Sequence, residues 1–206
     1  MTLTRLAVAA NLSVMTARDV RTWRWTRVEY DRLIEAGVFP AGDPIELLGG
    51  QLIVAEPQGS AHFTAIQLAE DALRAAFGPG WQVRAQGPIA LDEESEPEPD
   101  VAVVPGTPRD YRDAHPARPV LVVEVAESSL ATDREYKGSL YARAGIGDYW
   151  IVNLVDRVLD VHREPAPESA APFGWRYRSV TTLGPEASAQ PLAAHGARIP
   201  VAALLP

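Results

Sequence analysis

Residues 120–126 read VLVVEVA, and the fold turns on this stretch. Continuous apolar character implies a strand buried on both faces, hence a central strand with a layer packed above it and another below. One residue breaks the pattern. An ionised carboxylate at Glu124 costs several kcal/mol in such surroundings unless it is paired or bound to a metal. The alternative is a strand end or an edge where the side chain reaches water. Apolar neighbours on both sides argue against it, so Glu124 is a candidate functional carboxylate.

Downstream, residues 130–144 read as a helix stopped by Gly145. Asp133, Lys137, Leu140, Tyr141 and Ala144 share one face, with Glu135, Gly138, Ser139 and Ala142 opposite. The first face leans apolar and is expected to pack back on the sheet near Glu124. The alternative for Lys137 is a surface pair with Asp133, worth only ~0.3–0.5 kcal/mol. Composition weighs against that, because the chain has 18 Arg and a single Lys, Lys137. Lys is a compact charge that can sit against a water or an oxyanion and, unlike Arg, can release its proton. Upstream, Asp100 stands at the mouth of the apolar strand 101–104, directly after Pro99, whose fixed φ stiffens the approach. Two adjacent strands can bring Asp100 and Glu124 within reach of one hard cation. Magnesium takes one or two carboxylates, with waters and phosphate completing its shell. A backbone carbonyl, that of Val125, can add an oxygen.

Further out, Thr26 is expected to cap a helix reaching about Phe39, with Tyr30, Leu33 and Ile34 on one face and Gly37 near its end. IELL and QLIVA, joined by Gly49-Gly50, read as a β-hairpin. Glu46 lies in its first strand, either as a further metal or water ligand or as a solvent-facing strand residue. A second helix starts at Ser60, with Phe63, Ile66, Ala69, Leu73, Ala76 and Phe77 at helical spacing and Gly78 closing it. His62, near its start, either lines the site or is structural or exposed. Residues 81–85 and 88–91 read as short strands. The acidic, proline-punctuated segment 92–99 reads as a solvated linker. Residues 148–153 and 157–161 form a hairpin turning at 154–156, 164–174 form a loop, 175–182 a strand, and the tail adds one or two short strands. The class is α/β or α+β with a mixed sheet. No internal repeat or linker divides residues 21–206, which are expected to form one domain. Residues 1–20 are set aside as an N-terminal extension, within which Met15 is an alternative start.

The net charge of −8 counts against sequence-independent, phosphate-driven binding, although it leaves room for a local basic groove. Cysteine is absent, which excludes disulfides, Cys-based zinc sites and thiol nucleophiles and fits a reducing compartment such as the cytoplasm. No run approaches the ~20 apolar residues of a membrane span.

Taken together, the stretches IELLGGQLIVAEPQGSAH, EPDVAVV, LVVEVAESS and DREYKGSLYARAGIGDYWIV resemble the PD-(D/E)xK nuclease superfamily and, more narrowly, the Uma-two family of restriction endonuclease-like proteins. The resemblance implies a mixed central β-sheet flanked by helices, here with an added N-terminal helix and hairpin. It implies Mg²⁺-dependent (or Mn²⁺-dependent) hydrolysis of phosphodiester bonds, with DNA as substrate. Position by position, Asp100 and Glu124 correspond to the metal ligands, Glu46 to the early acid, and Lys137 to a catalytic lysine displaced onto the helix. Tyr141, one turn on, positions Lys137 or a phosphate, or else packs in the core. Two departures stand out: Ala126 occupies the place of the usual lysine, and Glu127-Ser128 replaces Ser-Pro. Members of this fold often pair, since two strands need two cuts, so a homodimer is an expectation with no surface assigned to it. The rival readings are a catalytically inactive nuclease-fold module that binds a partner or a nucleic acid, and a metal-dependent hydrolase of another phosphate ester.

Overall fold

A computed structural model describes residues 22–40, 42–55 and 57–206; the extension over residues 1–20, with Met15, lies outside the described residues. The first helix, α1 (Arg27–Glu35), opens on a capping box in which Thr26 and Glu29 satisfy each other's backbone N–H. It stops short of Phe39 and buries Tyr30 alone, with Leu33 half-buried and Ile34 exposed. Gly37 takes a positive φ and turns the chain away. Tyr30 anchors α1 by donating its hydroxyl to the Ile45 carbonyl at 2.5 Å. The expected hairpin follows as β1 (Ile45–Leu48) and β2 (Gln51–Val54). Its turn residues Gly49 and Gly50 have φ of +56° and +78°, which L side chains resist. Next comes α2 (Ser60–Phe77), whose buried stripe is Ala65, Ile66, Ala69, Leu73 and Phe77. Phe63, expected on that stripe, is 49% exposed.

The sheet contains β3 (Trp81–Ala85), β4 (Val101–Pro105), β5 (Leu121–Ala126), β6 (Asp148–Asn153), β7 (Val158–Pro167) and β8 (Trp175–Leu183), paired in that order. Only β5 and β6 run parallel, because the helical crossover between them returns the chain to the same end of the sheet. That crossover, α3, is one helical run made of Leu130–Thr132, a π-helical turn Asp133–Lys137 and Gly138–Arg143. Two short strands, β9 (Ser188–Ala189) and β10 (Ile199–Pro200), finish the chain. The mixed sheet flanked by helices is the architecture the sequence led us to expect.

Alternation along β5 divides the core. Leu121, Val123 and Val125 face α2 and the C-terminal tail, whereas Val122 and Ala126 face α3 with Tyr141, Ala142 and Tyr149. Glu124, two residues from each of the latter pair, therefore points to the α3 side.

Four expectations change. Residues 88–91 do not form a strand: Pro88 has no N–H, and those of Ile89, Ala90 and Leu91 go to the carbonyls of Pro97, Pro116 and Ser95, on no single partner strand. Residues 92–99 are no solvated linker. Ser95, Glu96, Pro97 and Pro99 are buried. The segment hydrogen-bonds to the β1–β2 hairpin through Leu47 and Gly50, and its acids find cations: Asp92 with Arg143 at 2.6 Å, and Glu96 with Arg27 at 3.8 Å. The loop expected over 164–174 is shorter, because β7 continues to Pro167 in register with Trp175 on β8. Finally, the face of α3 holding Gly138, Ser139 and Ala142 is also buried. Ser139 Oγ donates to the Trp175 carbonyl at 2.7 Å and accepts from the Phe173 N–H at 3.0 Å, so the helix is packed on both sides.

Candidate active site

The register of the sheet builds the site. Val101 of β4 pairs with Val123 of β5, so one residue further along Asp100 lies opposite Glu124. The backbone N–H of Asp100 donates to Glu124 Oε2 at 3.3 Å, and that of Val125 donates to Asp100 Oδ2 at 2.7 Å. On the other side, the Gln86 N–H donates to the Asp100 carbonyl at 3.0 Å. Gln86, Asp100 and Glu124 thus form a row across three strands, with both carboxylates buried.

From above, α3 delivers Lys137. Its Nζ lies 3.1 Å from Glu124 Oε1 and 3.2 Å from Glu46 Oε1, so the single lysine of the chain bridges the β5 acid and the β1 acid. Glu46 is buried rather than solvent-facing. The π-turn makes this delivery possible. The Gly138 N–H reaches the Asp133 carbonyl five residues back, and a Cβ at Gly138 would meet that oxygen at 3.2 Å. The wider turn leaves Asp133 and Lys137 both lining the cavity while Leu140 and Tyr141 stay in the core. Such turns recur at functional sites. Tyr141 donates its hydroxyl to Glu124 Oε1 at 2.6 Å; it holds Glu124, not Lys137. His62 Nε2 comes within 3.3 Å of Asp100 Oδ1, which places it in the site as a partner of the metal-ligand candidate.

These groups surround a cavity of about 300 Å³ lined by Glu46, Glu98, Asp100, Glu124, Asp133 and Lys137. Burial pushes the Glu124 carboxyl up to about 8, with Lys137 pulling the other way and Asp100 adding to the rise. Burial likewise pushes Asp133 up to about 6 and raises Glu98. For Lys137 burial pulls downward, but Glu124, Glu46, Asp133 and Asp100 outweigh it and the net direction is up. The ammonium is therefore held charged, and the proton release that a buried lysine can offer is suppressed here.

Five carboxylates against one ammonium leave a deficit of positive charge, which a divalent cation would offset. The oxygens fit one. Among the described residues, Glu46 Oε2 is buried with no hydrogen-bond partner. Glu124 Oε1 accepts from both Lys137 and Tyr141, whereas Oε2 meets, among the described residues, the Asp100 N–H at 3.3 Å. The contacts of Asp100 Oδ1 with described side chains are long, 3.3 Å to His62 and 3.5 Å to Gln58. Among the described residues no three His, Cys, Asp or Glu side chains form a ready-made ion cage. A site with one or two carboxylates, completed by water and phosphate, is the magnesium pattern.

Asp100, Glu124, Lys137, Glu46, His62, Tyr141 and the Val125 backbone, all singled out in the sequence, meet in this one place. Sequence reasoning missed Glu98 and Gln58, and it gave Asp133, on the helix face with Lys137, no role in the site beyond the alternative of a surface pair. Glu98 was folded into a segment that composition alone marks as solvated. Asp133 instead accepts from Ser129 Oγ at 2.5 Å.

No curated protein matches the chain. A crystal structure of a "putative nuclease" of the DUF820 family from Anabaena variabilis superposes with a TM-score of 0.60, covering 84% of this chain and 96% of that one; at 16% identity the likeness is one of fold. No helix among the described residues is long and apolar enough to cross a membrane. A family model described as "Putative restriction endonuclease" matches residues 27–202, and the chain belongs to that family, Uma2.

Proposed function

We propose that this chain is a divalent-metal-dependent nuclease that hydrolyses DNA phosphodiester bonds with Mg²⁺, or Mn²⁺ in its place. The observation that carries the reading is the position of Lys137 Nζ, 3.1 Å from Glu124 Oε1 and in one cavity with Asp100. The family description and the nuclease fold of the structural relative support it.

Asp100 and Glu124 would hold the cation, with the Val125 carbonyl as a further oxygen. A bound divalent cation polarises a phosphoryl oxygen and makes water a better nucleophile near neutral pH. The chain's own groups do the rest. Lys137, kept protonated by the acids around it, orients the attacking water and stabilises negative charge that develops on the phosphate. It donates, and it is not the base. Glu46 also holds Nζ, at 3.2 Å. Tyr141 fixes the Glu124 carboxylate so that Oε2 stays available, and His62 steadies Asp100.

Asp100→Asn tests this. The amide oxygen can still accept from the Val125 N–H, so the fold should persist, while the charge that holds the cation is lost. Metal-dependent cleavage of duplex DNA should fall by at least about a hundredfold with an unchanged circular dichroism spectrum. Full activity in the purified variant would remove the proposal. A wild-type protein with no carboxylate-dependent Mg²⁺ or Mn²⁺ binding by calorimetry would be the inactive scaffold. Turnover confined to RNA, single strands or nucleotides in a substrate panel would make it a hydrolase of another phosphate ester.

A further inference from the structure

The mouth of the cavity carries a pair of amides that the chemistry above does not use. Gln86 is the first residue beyond β3, in the row with Asp100 and Glu124, and its φ is +49°. An L residue in this left-handed region is strained, and glycine would adopt it at lower cost. Strain of this kind persists where the side chain is needed, and it clusters at active sites. The backbone N–H of Gln86 is already committed to the Asp100 carbonyl, so what glutamine adds over glycine is its amide.

The polarity of that amide is fixed from inside the cavity. Asp100 Oδ1 can only accept as a carboxylate, so Gln58 turns Nε2 toward it, at 3.5 Å. Gln58 Oε1 is then left to accept from Gln86 Nε2, at 2.9 Å. Gln86 is exposed, and its carbonyl oxygen and second N–H meet no hydrogen-bond partner among the described residues. The other polar groups of the cavity wall include Glu46, Glu98 and Asp133, which would repel a polyanion. A neutral amide does not, and its paired donor and acceptor match a base edge, best of all the N6 and N7 groups of adenine.

We propose that Gln86, held by Gln58, is a specificity-determining residue that reads the edge of a base beside the reacting phosphate. This rests on the nuclease reading above. The weak 3.5 Å contact to Asp100 also ties the reader to the metal-ligand candidate: a group that draws on Asp100 Oδ1 frees the Gln58 N–H toward the strand.

The test is the cleavage-site profile on a duplex library randomised in sequence, with Mg²⁺, for wild type, Gln86→Ala and Gln86→Gly. Wild type should prefer one base, adenine first, at a fixed position next to the cut. Both variants should flatten that preference by about tenfold, and Gln86→Gly, free of the backbone strain, should melt no lower than wild type. An unchanged profile in the two variants, or a flat profile in wild type, overturns the inference and leaves the nuclease reading standing. If wild type cuts nothing, the nuclease reading falls by itself. The same library is then selected by binding to the wild-type chain and to Gln86→Gly. A base preference held only by wild type supports base reading, and identical pools or no binding refute it.

Discussion

Replacing Lys137 tests whether the site needs an ammonium group or merely a positive charge. In Lys137→Met, Glu124 Oε1 and Glu46 Oε1 lose contacts of 3.1 Å and 3.2 Å in a place where both acids are nearly sealed from water. Removing one partner of a buried ion pair leaves an uncompensated charge and costs about 3–5 kcal/mol. Here the surviving carboxylates can take up protons, since Glu124 is already raised to about 8, and the low end of that range is expected. About 3 kcal/mol in a chain of this size lowers Tm by ~6–12 °C. Lys137→Arg restores the charge, so thermal stability should recover much of this loss. It should not restore activity, because a planar guanidinium cannot place a compact charge between two carboxylates 3.1 and 3.2 Å away and still face a water. Both variants should cleave duplex DNA at least about a hundredfold more slowly than wild type. The assays are differential scanning calorimetry and single-turnover cleavage with Mg²⁺. Wild-type rates in Lys137→Arg would show that any cation serves, and wild-type rates in Lys137→Met would show that the residue is a structural pair alone.

Two further outcomes follow from neighbouring groups. Tyr141→Phe deletes the 2.6 Å hydrogen bond to Glu124. A hydrogen bond contributes roughly 0.5–1.5 kcal/mol to a neutral acceptor and roughly 1.5–3 kcal/mol to a charged one, so a loss of stability within that span is expected together with slower cleavage and weaker Mg²⁺ binding by calorimetry; a change in stability with Mg²⁺ affinity untouched would reduce Tyr141 to packing. The Glu96 carboxyl is pushed up to about 7, mainly by burial and secondarily by Asp31. Its folded pKa lies above the unfolded value, so its contribution is complete below about pH 4.5 and is lost as pH rises through about 7. Because a tenfold change in proton affinity is worth about 1.4 kcal/mol, the loss is expected to reach at most about 3 kcal/mol. Glu96→Gln should remove this part of the pH dependence of urea unfolding, and identical slopes in the two proteins across that window would refute the assignment.

The parts of the site legible in the sequence are those where a residue contradicts its immediate surroundings. Glu124 stands out because apolar residues flank it, and Lys137 because it is the one lysine among 18 arginines. Neither signal needs knowledge of a distant segment. What stayed hidden depends on such knowledge. Residues 92–99 carry the composition of a solvated loop, yet Ser95, Glu96, Pro97 and Pro99 are buried, with Arg27 and Arg143, far off in the chain, supplying counter-charges to Glu96 and Asp92. Gln86 looks like an ordinary residue after a strand until the register of β3 on β4 sets it beside Asp100. Asp133 and Lys137 share a helix face in the sequence, but the π-turn between them, which leaves both lining the cavity, has no signal in the local pattern. The strand β7 runs through Pro165 and Pro167 against the local preference of proline, because its pairing with β8 outweighs that preference.

The departure at residue 126 gains a physical meaning from the same geometry. Positions 124 and 126 of β5 lie on one face of the sheet, so a lysine two residues after Glu124 would approach that acid along the strand. Here the position is Ala126, fully buried among Tyr141, Ala142 and Tyr149. A side chain this small lets α3 lie close over β5, and closeness is what a lysine on the helix requires to reach a strand carboxylate at 3.1 Å. The helix must also turn the right residue inward without pulling Tyr141 off Glu124. A regular helix spaces its facing residues by three or four; the π-turn, whose i→i−5 bond ends at Gly138, widens the helix by one residue there, and the absence of a Cβ at Gly138 gives the Asp133 carbonyl room. Small residue, close helix and widened turn are therefore one device. On the proposed nuclease reading, the ammonium group that a linear motif would supply from the strand, two residues after Glu124, would come instead from Lys137 on the helix above, 3.1 Å from Glu124 Oε1.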